Sequence, residues 1–594
     1  MSGEPSRVGL LSAHFFRRFL DNDLLSPNGD GHEHLAFVLA LLAVPGLFLS
    51  AMLMVRYLNP LASPGLKMLF SLPDKLILLS AAMFVMALVT MVAWDALSLD
   101  SRDEANLGPL PIERGVLVKA KLAALARFVA VFAVGVNAIP AIGYPLILLA
   151  TLPVGVGRML WILGAHVFCL LAASLFGFLA VLACRDAIRV IVGPRVFRRV
   201  STPIQFVGVL ALVSAILLVP TVPSRAVVDL LTSGGPALAW WPPLWFLGLY
   251  ERLTAGAILG APGIDAPQRW MYWTREQDLA FRQQYLGMTD LLTYLSSLAM
   301  IALAASAAIG LAAFAIGAAR RADPPAAPRP GLLRRALPRI AARTLVRHPV
   351  TQAGFFFTLQ TIARSVEHRL YLAAYLAAGV GAALVMAGPS VVSRTGQGAA
   401  PGASAVFAVQ MIVSFFILAG LRSTFAIPVT LPANWTFQIC ATGEAHRYHR
   451  GVRRAVAVIL AGLFAGLLPL HVLWIDADTA ALHLVAGYLA ALIVAELAVV
   501  GGRHIPFTCP YVPGRENLKK WWLAYVAAFA AYTSGFTAIE TRALSTSRGT
   551  AIFLLLLGLV FVAAIGVRRL RARRPTPIEF EPPEDVTQAL GLSG

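Results

Sequence analysis

The sequence predicts an all-α polytopic integral membrane protein of about twelve transmembrane helices, in two six-helix halves, with both termini in the cytoplasm. Three observations carry this expectation. Hydrophobic residues make up 58% of the 594 residues and charged residues 13%, about half the charged share of a soluble globular domain. Apolar runs of about 20 residues recur along the chain, the length needed to cross a hydrocarbon core. The connectors between them alternate between rich and poor in Lys and Arg, as the positive-inside bias requires.

Twelve runs follow in order: Leu35–Val55, Leu76–Trp94, Phe128–Ala150, Met159–Ala183, Ile204–Thr221, Leu291–Ile316, Leu370–Ala387, Val406–Ile427, Ala455–Trp474, Leu482–Val500, Trp521–Ile539 and Ala551–Val567. With the N-terminus inside, the basic segments Arg185–Arg199, Arg320–Arg347 and Arg568–Arg574 all fall on the cytoplasmic side. The short connector Ile475–Ala481 carries Asp476 and Asp478 and no base, which suits the outside.

The net charge of +19 follows from the same bias. No basic stripe lies on a polar domain, so a nucleic-acid partner is not expected. The four cysteines, Cys169, Cys184, Cys440 and Cys509, form no C-x-x-C pair. Neither a metal site nor a disulfide framework is signalled. No cleavable leader precedes the first run, which is expected to serve as its own insertion signal. P-loop, H-E-x-x-H, G-x-S-x-G and Rossmann patterns are absent, so the chain is not expected to be an enzyme or to bind a cofactor of its own.

The Pro-rich segment Asp323–Gly331 divides the chain. On either side the spans follow with closely matching spacing: Leu35, Leu76 and Phe128 against Leu370, Val406 and Ala455. Each half is preceded by an aromatic amphipathic stretch, Phe15–Leu20 and Phe355–Ile362, of the kind that lies in a membrane interface. The expected organisation is therefore a cytoplasmic segment (1–34), a first six-helix half (35–317) with an outside loop at 222–290, and a basic linker with an amphipathic segment (318–369). A second half (370–567) and a cytoplasmic disordered tail (568–594) complete it. Six spans per half make the repeat a parallel one. The long outside loop carries Trp240, Trp241, Trp245 and Tyr250, expected as a headgroup-level anchor or a gate over an outside opening, with a short helix or re-entrant segment.

The connector between the second and third spans starts acidic at Asp95 and Asp100. It passes through Arg102, Asp103 and Glu104, turns at Leu107-Gly108-Pro109-Leu110-Pro111, and resumes as a basic helix through Lys119 and Lys121. Pro109 and Pro111 stop a helix and set an extended elbow. This loop resembles that of the permease subunits of type-2 ATP-binding-cassette exporters, where Arg-Asp, then Leu-x-x-Leu-Pro, then a basic residue precede the third span. Arg102, Asp103, Leu107, Leu110, Pro111 and Lys121 match that pattern. An amphipathic helix before the first span and an outside segment between the fifth and sixth add to the likeness, which covers residues 10–320 in architecture.

The resemblance implies a fused pair of six-span units in the inner (plasma) membrane, driven by a separate ATPase subunit, expected as a homodimer that holds the ATP. The loop 100–121 would couple to it. The second-half equivalent keeps Leu431-Pro432 and runs through Asn434, Trp435 and Glu444, but lacks the acidic stretch. It is either a diverged copy or a contact for another partner face.

Ionisable groups inside spans default to functional candidates. Glu496, deep in the tenth run, is the best such carboxylate; Arg127, Arg158 and Arg422 sit near span ends and are expected to snorkel. His166 and His471 are expected as hydrogen-bonded packing residues. Ala302, Ser306 and Gly310 recur every four residues and fit close helix packing, though an alanine-rich composition yields such runs too. Rival readings are an ion-coupled secondary transporter, disfavoured by the near absence of intramembrane carboxylates, and a membrane scaffold without transport activity.

Overall fold

The computed structural model describes residues 7–20, 31–57, 64–94, 97, 107, 112–149, 156–222, 224–259, 283, 287–319, 332–396, 403–429, 434–439, 445–499, 505–509 and 518–572. Among them there are helices and turns but no β-strand. Backbone contacts divide the chain into two compact units, Met1–Pro324 and Pro325–Gly594, with the boundary inside the Pro-rich segment.

The first unit contains α1 (Arg7–Leu20), α2 (Gly31–Tyr57), α3 (Pro64–Val92), α4 (Arg114–Leu149), α5 (Val156–Leu218), α6 (Ser224–Ser233), α7 (Pro242–Leu259) and α8 (Thr289–Ala319). In the second are α9 (Leu332–Thr344), α10 (Pro349–Arg364), α11 (Val366–Gly396), α12 (Ala403–Phe425), α13 (Trp435–Ile439), α14 (Ala445–Trp474) and α15 (Ala477–Val494). A π-turn at Ala495–Val499, α16 (Leu518–Ala530), a second π-turn at Ala531–Gly535, α17 (Phe536–Ala543) and α18 (Ser547–Ala572) complete it.

Eleven helices among the described residues are long and apolar enough to cross a membrane. Their outward faces are greasy: on α18, Leu555, Leu559 and Val562 are all more than half exposed. A solvent of hydrocarbon, not water, suits such a surface. Prolines sit inside α2 (Pro45), α3 (Pro73), α4 (Pro140, Pro145) and α14 (Pro469), a usage that neighbouring helices make tolerable in membranes. The expected run Trp521–Ile539 falls on α16, the π-turn and α17, none of which is long enough alone to count among the eleven.

Three expectations shift. The third span begins at Gly115 rather than Phe128, so the basic helix through Lys119 and Lys121 is part of the span, and α1 covers that stretch. The basic connector Arg185–Arg199 is no loop: the fourth and fifth spans run into each other at Gly193, whose φ of 76° and ψ of 161° lie in a region essentially restricted to glycine. Arg185 and Asp186 are buried, and Arg185 binds the Asp186 carboxylate (2.8 and 2.6 Å) and the Trp94 carbonyl (2.6 Å). The segment 222–290, expected as an outside loop with a short helix or re-entrant segment, is built, in its described part, of α6, a 3-10 turn at Pro236–Trp240 and α7, and α7 is no surface element. Helix α7 packs against α3, α5 and α8, burying Leu244, Phe246, Leu247 and Tyr250 in the core of the first unit.

Candidate functional site

The two units repeat one arrangement at the heads of their third spans. In the first, α1 lies across the start of α4. Its amphipathic pattern turns Phe15, Phe16 and Phe19 inward, into one cluster with Phe128 and Phe132 of α4. Lys121 is buried beneath it, its ammonium 4.6 Å from the Phe15 ring centre and 4.9 Å from that of Phe19. Arg127 stands 4.4 Å over Phe16. Cations over desolvated rings are held by the ring quadrupole, so these bases fasten α1 to the third span.

Two described residues of the connector, Leu97 and Leu107, pack into the same cluster. At the loop's start, Trp94 donates its indole N–H to Ser201 Oγ (2.8 Å), Gln205 binds the Met91 carbonyl (2.8 Å) and Arg185 the Trp94 carbonyl. The connector is thus fixed at one end to the turn between the fourth and fifth spans and at the other under α1. Arg102, Asp103, Pro109, Leu110 and Pro111 lie outside the described residues. Lys121, matched to the loop pattern, is a buried support of α1 and not a surface contact.

In the second unit α10 takes the place of α1 and α14 that of α4. Gly354 of α10 and Gly451 of α14 bring the two backbones together. Arg454 donates to the Leu345 carbonyl and Arg447 to His348 Nε2, tying the α9–α10 junction to α14. Phe437 on α13 sits edge-on to Phe357 of α10 (5.2 Å) and to Tyr448 of α14 (6.2 Å). Asn434 donates to the Thr508 carbonyl (2.5 Å), and Val429 pairs with Phe507 (3.1 Å). Trp435 opens α13; Pro432 and Glu444 lie outside the described residues. Here too the connector after the second span is clamped between the preceding helix, α10, and the third span.

At the opposite ends of the helices each unit buries a polar cluster. In the first, Lys75 of α3 donates to Glu251 of α7 at 2.6 Å, with side chains 1% and 3% exposed. The Lys75 ammonium also lies 4.7 Å from the Tyr250 ring centre. His166 of α5 has Nε2 3.1 Å from the Pro140 carbonyl and Nδ1 3.1 Å from the Tyr250 hydroxyl. Because a carbonyl only accepts, Nε2 carries the proton and Nδ1 accepts from Tyr250. Arg56 pairs with Asp74 close by, and the hydroxyls of Tyr57 and Tyr144 lie 3.4 Å apart.

In the second unit, His483 of α15 has Nδ1 2.8 Å from Glu540 Oε1 on α17, both side chains 0% exposed. Gln410 of α12 donates to the His483 carbonyl (2.7 Å) and lies 3.0 Å from Nδ1. Phe407 stacks on the imidazole at 4.2 Å, and the His471 ring stands 5.1 Å away. Tyr532 meets Ser414 at 3.0 Å.

These clusters revise the reading of the ionisable groups. Buried carboxylates are not scarce: Asp74, Asp186, Glu251 and Glu540 are all 3% exposed or less. Glu496 is held in the π-turn Ala495–Val499 by Arg568 of α18 (2.6 Å), with Arg453 of α14 3.7 Å away. The four aromatic residues of segment 222–290 part company. Trp240 is 86% exposed, Trp241 rests edge-on against Phe84 (6.1 Å), Trp245 packs on Phe176 (6.0 Å) and Tyr250 is buried. Of the small residues on α8, Ala302 packs against the core of the first unit, whereas a Cβ on Gly310 would meet nothing nearer than Leu182 at 4.0 Å; Gly310 and Ala307 line an apolar groove of about 380 Å³ between α4, α5 and α8. Sequence reading passed over Lys75 and Glu540 because each sits at a run's edge, where a charge is ordinary.

No group of three or more His, Cys, Asp or Glu among the described residues is placed to hold a metal ion. No family model, no curated protein and no solved structure matches the chain.

Proposed function

We propose that this chain is the membrane-spanning permease of an ATP-binding-cassette exporter in the inner membrane, moving its substrate with energy from a separate ATPase. In this reading it crosses the bilayer twelve times, with α16, its π-turn and α17 as one interrupted crossing, and keeps both termini in the cytoplasm. The observation that supports it most is the block repeated in both units: interfacial helix, clamped connector and head of the third span.

A displacement imposed on the connector passes to the span through packed side chains: Leu97 and Leu107 against Phe15, Phe16 and Phe19 in one unit, Phe437 against Phe357 and Tyr448 in the other. Packed interfaces of this kind transmit small shifts as rigid-body motions. The acidic and basic side chains at Arg102, Asp103 and Glu104 would meet the ATPase, and Pro109 and Pro111 would stiffen the elbow. The chain has no P-loop of its own, so hydrolysis falls to the partner subunit.

The test is purification of the full chain in mild detergent, with identification of what comes along. A nucleotide-binding subunit is expected, and in the reconstituted complex Pro111→Gly or Asp103→Ala should separate ATP hydrolysis from transport while the protein stays folded. A chain that transports with no ATPase attached, or a complex indifferent to both substitutions, overturns the proposal.

A further inference from the structure

His483 lies near the start of α15 and Glu540 on α17. Histidine 483 is about 9 Å along the axis from the start of α15 at Ala477, at 1.5 Å per residue. Both side chains are fully buried. Among the described residues no lysine or arginine pairs with Glu540, and its Oε2 has no hydrogen-bond partner, nor has His483 Nε2.

The groups that face the pair are few. Gln410 and Ser414 come from α12, His471 from α14 and Tyr532 from the π-turn Ala531–Gly535. On α18, Arg568 is engaged by Glu496, and Arg548 is exposed. On the pair's own helices, Asp476 caps α15, and Asp478 and Arg542 are exposed. Among the described residues nothing fixed and positive neutralises the carboxylate.

One proton on the pair makes it neutral, either as carboxylic acid with neutral imidazole or as carboxylate with imidazolium. The two forms differ only by transfer across the 2.8 Å contact. Without that proton a net negative charge is stranded in a low-dielectric site, which is unfavourable without a compensating partner. The Gln410 amide donates to the His483 carbonyl (2.7 Å) and its nitrogen lies 3.0 Å from Nδ1, but the single in-plane position of Nδ1 is taken by Glu540 in either form.

A second observation is independent of the pair's chemistry. Both helices that carry it are interrupted by π-turns, Ala495–Val499 after α15 and Ala531–Gly535 before α17. Such turns leave the regular hydrogen-bond ladder and are frequent at functional sites.

We infer that His483 and Glu540 form an exchangeable one-proton binding site inside the second unit, whose occupancy sets how α15 and α17 pack on α12. With the proton bound, the pair is neutral and the helices close over it as seen. Loss of the proton favours an opened packing that admits water to the stranded carboxylate. The site goes beyond the permease reading and does not depend on it, since it needs no ATPase to load.

The experiment is pH titration of the full chain in lipid nanodiscs, without nucleotide or partner. It is followed by infrared difference spectroscopy and by amide exchange over Ala531–Gly535 corrected for the chemical rate. One protonated-carboxyl band is expected to disappear as pH rises, with faster exchange at the π-turn. Glu540→Gln should abolish both changes, His483→Gln should move the midpoint, and Glu496→Gln should alter neither. A band that persists in Glu540→Gln, or a wild-type protein in which neither signal titrates while it stays folded, overturns the inference. If Glu540→Gln does not fold, His483→Gln decides, and an unchanged midpoint sinks the proposal.

Discussion

Gly354 of α10 and Tyr448 of α14 meet backbone to backbone: a Cβ on Gly354 would stand 2.3 Å from the Tyr448 carbonyl oxygen, and one on Gly451 2.2 Å from that of Thr351. Neither atom is the movable end of a side chain, so the helices themselves would have to separate. We expect Gly354→Ala and Gly451→Ala each to cost about 1–3 kcal/mol and to loosen α10 from the third span. Thermal unfolding in detergent and protease cleavage at Arg364 measure the two effects. If the proposed coupling is right, ATP hydrolysis and transport should also part in these variants.

The ion pair between Lys75 and Glu251 links residues 176 positions apart in a site closed to water. Removing one partner leaves an uncompensated buried charge, which typically costs about 3–5 kcal/mol. Lys75→Met and Glu251→Leu are therefore each expected to lower the unfolding temperature sharply. The double substitution should recover most of the loss, because two apolar groups of similar size need no partner. A double variant as unstable as the sum of the singles would show that the pair is not what stabilises the site.

Asp476 caps α15 outside the membrane spans, accepting from the Thr479 amide at 2.8 Å. That bond holds its carboxyl below the ordinary carboxylate range. A depressed folded-state value contributes stability above the unfolded-state pKa and loses it as pH falls through the folded one. The first turn of α15 should thus fray on acidification, seen as faster amide exchange at Thr479 and Ala480. In Asp476→Ala the exchange should be fast at all pH values, whereas Asp476→Asn should retain protection because asparagine caps almost as well.

The proposed topology places the turn at Gly193 and the end of α18 on one side of the bilayer. Single cysteines introduced at Arg189 and Arg569, in a chain with the native cysteines replaced, should react with an impermeant thiol reagent only in inside-out vesicles. Labelling from opposite sides would remove the even number of crossings and the two-half architecture with it.

Much of this molecule was legible in the sequence because lipid imposes a one-dimensional rule. An apolar run of about 20 residues must become a helix to satisfy its backbone, and eleven such helices are found among the described residues. Aromatic stretches such as Phe15–Leu20 and Phe355–Ile362 fall on helices, α1 and α10, that precede the first span of each unit. What the pattern could not announce was partnership across the chain. Lys75 is an unremarkable charge at a span's edge until α7 carries Glu251 to it. Glu540 reads as the first residue beyond the run Trp521–Ile539 until α15 sets His483 2.8 Å away. Lys121 reads as a loop base until α1 folds over it.

Composition and charge order are sums along the chain, so the sequence alone determines that it is an all-α membrane protein. Which ionisable groups are buried, and with what, depends on contacts between helices far apart in sequence. Those contacts are chosen by side-chain fit, and only the tertiary structure decides them.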